Sequence, residues 1–147
     1  MTRRRLFLID ASGYVYRAFH ALPALTNSRG LPTNATLGFA NMMAKLLRTE
    51  TPDFLAVVFD APGETFRDAL FAAYKQNRAP MPDDLRPQLP YIRKVVAALR
   101  LPVVEVQGVE ADDVIGTLAK QATAMDLETV IVTHQEEDGA ACGVDRG

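Results

Sequence analysis

Residues 103–113 read VVEVQGVEADD, and VIGTLAKQATA follows at 114–124. A short apolar run reaches a glycine turn, three carboxylates crowd into Glu110, Asp112 and Asp113, and an amphipathic period of about 3.6 begins. This is a strand, a turn and a helix start. Like charges so close repel unless a cation sits among them. A divalent metal held by oxygen ligands is one explanation. The other is that these are acids favoured at a helix N-terminus by the dipole and the free N–H groups. The triplet alone leaves both open.

Working outward, two further apolar runs also end on an acid. Leu6–Ile9 stops at Asp10, and FLAVVF at 54–59 stops at Asp60. Continuous apolar runs of this length suit parallel strands covered on both faces. Pro102–Val106 reads as a third strand and Thr129–Val132 as a fourth. Between them, helical spacing predicts a helix capped by Ser12 and carrying Val15, Ala18, Phe19 and Leu22, stopped by Pro23. A second helix is expected over Ala35–Arg48, with Leu37, Met42, Leu46 and Leu47 as core positions. Others follow at Phe66–Tyr74, at Asp84–Leu99 with a kink at Pro90, and at Ala111–Met125. The order β-α-α-β-α-α-β-α-β implies an α/β fold, a parallel sheet between two helical layers. The fourth strand is expected to be an exposed edge.

In an open parallel sheet the carboxyl ends of the strands share one edge, where ligands bind. Asp10, Asp60 and the Glu110/Asp112/Asp113 group would therefore line one pocket, which tips the balance toward a metal site. Ligation by oxygen alone favours Mg²⁺, with Mn²⁺ as the substitute. Such ions activate water and clamp the oxygens of a phosphodiester during in-line displacement. Asp10, Asp60 and Glu110 are the expected ligands, and Asp112, with Asp113 beside it, faces a second ion.

Composition narrows the class. The 147 residues are 48% hydrophobic with a net charge of −2, enough for one core and with no global basic field. Charge is unevenly spread: Arg67–Arg100 holds seven Lys/Arg against three acids, whereas Glu105–Asp113 holds four acids and no base. A basic belt beside an acidic pocket suits a polyanionic substrate, although an ordinary solvated helix face would look similar. Arg17 lies in the first helix. Lys75 and Arg78 lie on an extended, positively charged loop with two prolines, KQNRAPMPDD, placed to hold a phosphate, with Tyr74 just before it available to stack on a base. Gly38 would let a helix approach either a sugar-phosphate backbone or another helix. Cys142 is the single cysteine, so no internal disulfide forms, and with two histidines a thiolate zinc site is excluded. Arg3-Arg4-Arg5 precedes an apolar run too short for a signal peptide or membrane span, and a cytoplasmic location is expected.

Three segments, LIDASGYVYRAFHALPALTNSRGLPTNATLGFANMM, VVFDAPGETFRDALFAAYKQNRAPMPDDL and GVEADDVIGTLA, resemble the N-terminal 5′-3′ exonuclease domain of bacterial DNA polymerase I, a branch of the flap endonuclease family with a PIN-like fold. The resemblance covers roughly Leu6–Thr133. It implies a Mg²⁺-dependent nuclease that removes 5′ flaps, nucleotides and RNA primers at branched or nicked duplexes. The metal carboxylates fall on Asp10, Asp60, Glu110, Asp112 and Asp113. The basic residue of the YRAFH motif falls on Arg17, and the residues that handle the 5′ end on Tyr74, Lys75 and Arg78.

The sequence departs from the family after Thr133, where Thr-Gly-Asp-Lys-Asp is expected and THQEEDGAAC stands. Gln135 and Glu137 occupy the two aspartate positions. Residues 134–147 therefore read as an atypical tail, without the family's helix-hairpin-helix duplex-binding region. A truncation or frameshift is the expected origin, since one back-translation of Gly139–Gly143 read in another phase gives the family's Met-Ala-Gln-Leu-Val. Impaired cleavage is expected, with a catalytically inactive DNA-binding remnant as the alternative. A phosphoacceptor receiver domain lacks its acidic pair after the first strand, and a compact ribonuclease lacks the long insert.

Overall fold

The computed structural model describes residues 3–61, 81–133 and the backbone of 144–146. The sheet has the order β3-β2-β1-β4-β5. Its strands are β1 (Arg5–Asp10), β2 (Phe54–Val58), β3 (Val103–Val104), β4 (Glu128–Val132) and β5 (Val144–Arg146). The first four run parallel; β5 lies antiparallel on β4 and pairs Val132 with Val144. The fourth strand is therefore not the sheet edge that its position in the sequence suggests. β1 occupies the middle, pairing Leu6 with Phe54 and Asp10 with Val58 on one side, and Ile9 with Val132 on the other.

Period-two alternation divides the strands between two cores. Phe7, Ile9, Leu55, Val57, Val130 and Val132 face helices α1 (Ala11–Ala21), α2 (Asn34–Glu50) and α3 (Leu89–Ala98). Leu8, Ala56 and Val58 face α4 (Ala111–Ala124) through Ala111, Val114 and Ile115. The three-layer α/β architecture stands as expected.

Local departures have physical causes. Asp10, not Ser12, takes the N-cap position of α1, so Ser12 lies within the first turn. The buried stripe of α2 is Ala35, Phe39 and Met43, and Leu37 is exposed. Met42, Leu46 and Leu47 flank the core half-buried. The Tyr14 ring meets Phe39 edge-on, 5.5 Å between centroids. In place of one kinked helix from Asp84, a 3₁₀ turn at Arg86–Gln88 leads into α3. Pro87 and Pro90 thereby fall in first turns, where the missing N–H is no loss. β3 is two residues long where five were expected. The expected helix Phe66–Tyr74, Gln135 and Glu137 lie outside the described residues.

Two close contacts hold the α1/α2/α3 layer. A Cβ on Gly38 would lie 2.7 Å from the Ala18 carbonyl oxygen. This glycine therefore serves helix packing. Gln88, fully buried, donates from Nε2 to Asn34 Oδ1 at 2.9 Å and to the Asp84 carbonyl at 2.8 Å. Its Oε1 accepts from Thr36 N at 2.9 Å and Thr36 Oγ1 at 3.1 Å. Asn34 Nδ2 in turn donates to the Phe19 carbonyl at 3.0 Å. The Gln88 amide thus satisfies one of the orphan N–H groups of the α2 N-terminus from 52 residues away in the chain.

Candidate metal centre

The carboxyl edge of β1, β2 and β3 gathers the acids. Asp10 is the last residue of β1, and Asp60 follows β2 by two residues. Beyond β3, Gly108 turns the chain with φ 75°, a backbone conformation that favours glycine. Glu110 then takes the N-cap position of α4, with Asp112 and Asp113 in its first turn. Asp10, Ser12, Asp60, Glu110, Ala111 and Asp112 line a single cleft of about 180 Å³. At ~30 Å³ per water that is room for about six waters, or for hydrated cations. Asp113 does not line it, and neither does Arg17, which lies half-buried further along α1. Tyr74, Lys75 and Arg78 lie outside the described residues.

Each carboxylate has a different environment. Glu110 is 7% exposed. Asp60 accepts from Ser12 Oγ through Oδ2 at 2.7 Å and from Ala111 N through Oδ1 at 2.7 Å. Asp60 therefore ties together the first turns of α1 and α4, one from each helical layer. Burial raises the Asp10 carboxyl from 3.8 to about 6; the charges of Asp112 and Asp60 push the same way, and the N–H groups of Gly13 and Ser12 pull against them.

Helix capping explains part of this arrangement. Asp60 satisfies an N–H at the start of α4, and Asp112 and Asp113 suit its dipole. Capping leaves Asp10 unexplained: it is held partly buried beside two other carboxylates, and pays for its ionisation with a raised pKa. Among the described residues no three His, Cys, Asp or Glu side chains have closed into a chelating set. The acids instead surround a space large enough for several waters. An oxygen-only donor set around such a space fits a hard cation that keeps part of its hydration shell. Ser12, a helix cap by its sequence position, is instead a site residue; its place two positions after the strand-ending Asp10 is the signal the sequence offers for this.

Residues 5–138 match the family described as 5′-3′ exonuclease, N-terminal resolvase-like domain. The chain belongs to this family. Among relatives of this exonuclease domain, DNA polymerase I of Pseudomonas aeruginosa is 55% identical over 138 residues, covering 93% of the chain and 15% of the relative. A 5′-3′ exonuclease of Aquifex aeolicus is 45% identical over 134 residues, covering 91% of the chain and 46% of the relative. The chain thus spans less than half the length of either. A bacteriophage T5 flap endonuclease, solved in a complex with DNA and metal ions, superposes with a TM-score of 0.65 at 18% identity, over 90% of this chain and 50% of that one. The T5 5′-exonuclease with bound zinc gives 0.64 at 20% identity, over 88% and 49%. At these identities the T5 structures support the fold. In the described residues no helix is long and apolar enough to cross a membrane.

Proposed function

We propose that this chain carries the phosphodiester-cleaving cleft of a 5′-3′ exonuclease or flap endonuclease that acts on DNA 5′ flaps, nicks and RNA primers in the cytoplasm. The observation that carries the reading is the convergence of Asp10, Asp60, Glu110 and Asp112 on one cleft, in a chain of this family. Asp10, Asp60 and Glu110 would hold Mg²⁺, or Mn²⁺ in its place, directly or through water. Asp112 would face a second ion, with Asp113 beside it in the same turn but off the cleft lining. When bound, these ions supply an activated water and charge stabilisation at the scissile phosphate. The protein's own part is to keep the carboxylates oriented, with Asp60 fixed by Ser12 and Ala111, and to hold the polyanion. Arg17, Tyr74, Lys75 and Arg78 are assigned to that second task by their family motifs.

Residues 1–133 form the proposed exonuclease domain and 134–147 an atypical tail. Gln135 and Glu137 replace two aspartates of the family pattern, and a neutral amide is a weaker Mg²⁺ ligand than a carboxylate. This favours weak cleavage, and in the limit DNA binding without turnover. A Mg²⁺ titration on 5′-flap DNA tests both readings. The expected result is slow, EDTA-sensitive cleavage that Asp10→Ala abolishes. Binding without cleavage at saturating Mg²⁺ would favour the inactive module. Cleavage that persists in EDTA or in Asp10→Ala would remove the cleft from the chemistry.

A further inference from the structure

We propose that Ser12 is a positioning residue for the metal site, acting through Asp60. This rests on the reading of the cleft as a divalent-metal site. The Ser12 hydroxyl has one proton, and its 2.7 Å contact to Asp60 Oδ2 uses it, since a carboxylate can only accept. The oxygen lone pairs of Ser12, which also lines the cleft, are then left to accept, and a metal-bound water is a donor of the right kind. The other Asp60 oxygen is held by Ala111 N at 2.7 Å. Two donors from different helices, on opposite faces of the sheet, thus fix both the rotation and the tilt of one carboxylate.

This matters because Ser12 and Ala111 supply the hydrogen bonds that hold Asp60 among the described residues. It sits beyond the end of β2 and is exposed. Without Ser12 the group would pivot on the single Ala111 bond, and its free oxygen would swing away from Asp10 and Glu110. Partners of this kind, which orient a ligand without touching the metal, typically contribute 10–100-fold to affinity. The Ser12–Asp60 bond is solvent-accessible, so the lower end, about tenfold, is expected here.

The test is Mn²⁺ affinity of the 147-residue chain, measured by the electron-spin signal of free Mn²⁺, for the wild type, Ser12→Ala, Ser12→Thr and Asp10→Ala. Ser12→Ala should weaken binding about tenfold, and Ser12→Thr, which keeps the hydroxyl, should restore most of it. In the metal-free chain, Ser12→Ala should also speed hydrogen exchange at the Ala111 amide more than at amides later in α4. A general loss of stability would speed them together and would not be rescued by threonine. Unchanged Mn²⁺ affinity in Ser12→Ala, with Asp10→Ala weakened, overturns the role of Ser12 alone. Equal affinity in wild type and Asp10→Ala, or none in wild type, overturns the metal reading and this role with it.

Discussion

Asp10→Asn should make the metal-free protein more stable at neutral pH. The Asp10 carboxyl is raised from 3.8 to about 6 by burial and by the charges of Asp112 and Asp60. A folded-state pKa above the unfolded one means that the native fold prefers the neutral acid. That preference stabilises the fold fully below pH 3.8 and is lost as pH rises through about 6. Roughly two pKa units correspond to at most about 3 kcal/mol, and partial exposure of the group reduces this to about 1–2 kcal/mol. Asparagine keeps an acceptor for the nearby N–H groups of Gly13 and Ser12 but never ionises. In excess EDTA, urea unfolding followed by circular dichroism should therefore find Asp10→Asn more stable than wild type by about 1–2 kcal/mol near pH 8, with the difference shrinking toward pH 4. Adding a divalent cation should narrow or reverse the order, because ligand that binds only the native state stabilises the better binder. A variant no more stable than wild type at pH 8 without metal would refute the claim that ionised Asp10 strains the empty cleft.

Two further substitutions test the packing of the α1/α2/α3 layer. Gln88→Met keeps the volume but strips four hydrogen bonds, leaving Thr36 N and the buried Asn34 Oδ1 without their partner; a loss of about 2–4 kcal/mol is expected in urea unfolding, and a loss under about 1 kcal/mol would show that water substitutes for the amide. Gly38→Ala forces a methyl to within 2.7 Å of the Ala18 carbonyl; overpacking of about 1–3 kcal/mol should outweigh the ~1 kcal/mol gain in helix propensity, so a higher unfolding midpoint would mean that α1 and α2 separate readily.

What could be read in advance followed from features that are local in the chain. Each of Leu6–Ile9 and Leu55–Val58 is apolar on both faces and ends near an acid, so strand identity, parallel order and the shared edge of Asp10, Asp60 and Glu110 were all legible. Features that depend on distant partners were not. Ser12 and Asp10 are both competent N-caps, and only the Asp60 carboxylate, 48 residues away, draws the Ser12 hydroxyl out of that role. Leu37 fits a helical period as well as Phe39 does; the close approach of α1 at Gly38 selects the stripe Ala35, Phe39 and Met43 for burial. The Gln88 network spans up to 54 residues and has no motif. Asp113 shares the first turn of α4 with Asp112, but helical rotation of about 100° per residue carries it off the cleft. β5 leaves no mark in the sequence because residues 144–146 are too few to show a strand pattern; its partner β4 defines it.

The sheet tapers from its centre, and this bears on how the protein behaves at high concentration. The outer strands among the described residues are its shortest, two residues in β3 and three in β5. A strand from another molecule docking beside either would find only two or three residues to pair with. Each residue it ordered would cost about 1–2 kcal/mol of backbone entropy, against a net gain of about 1 kcal/mol per hydrogen bond. Among the described residues, strand exchange between copies therefore has only a short ladder to start from, and the longer ladders lie inside the sheet.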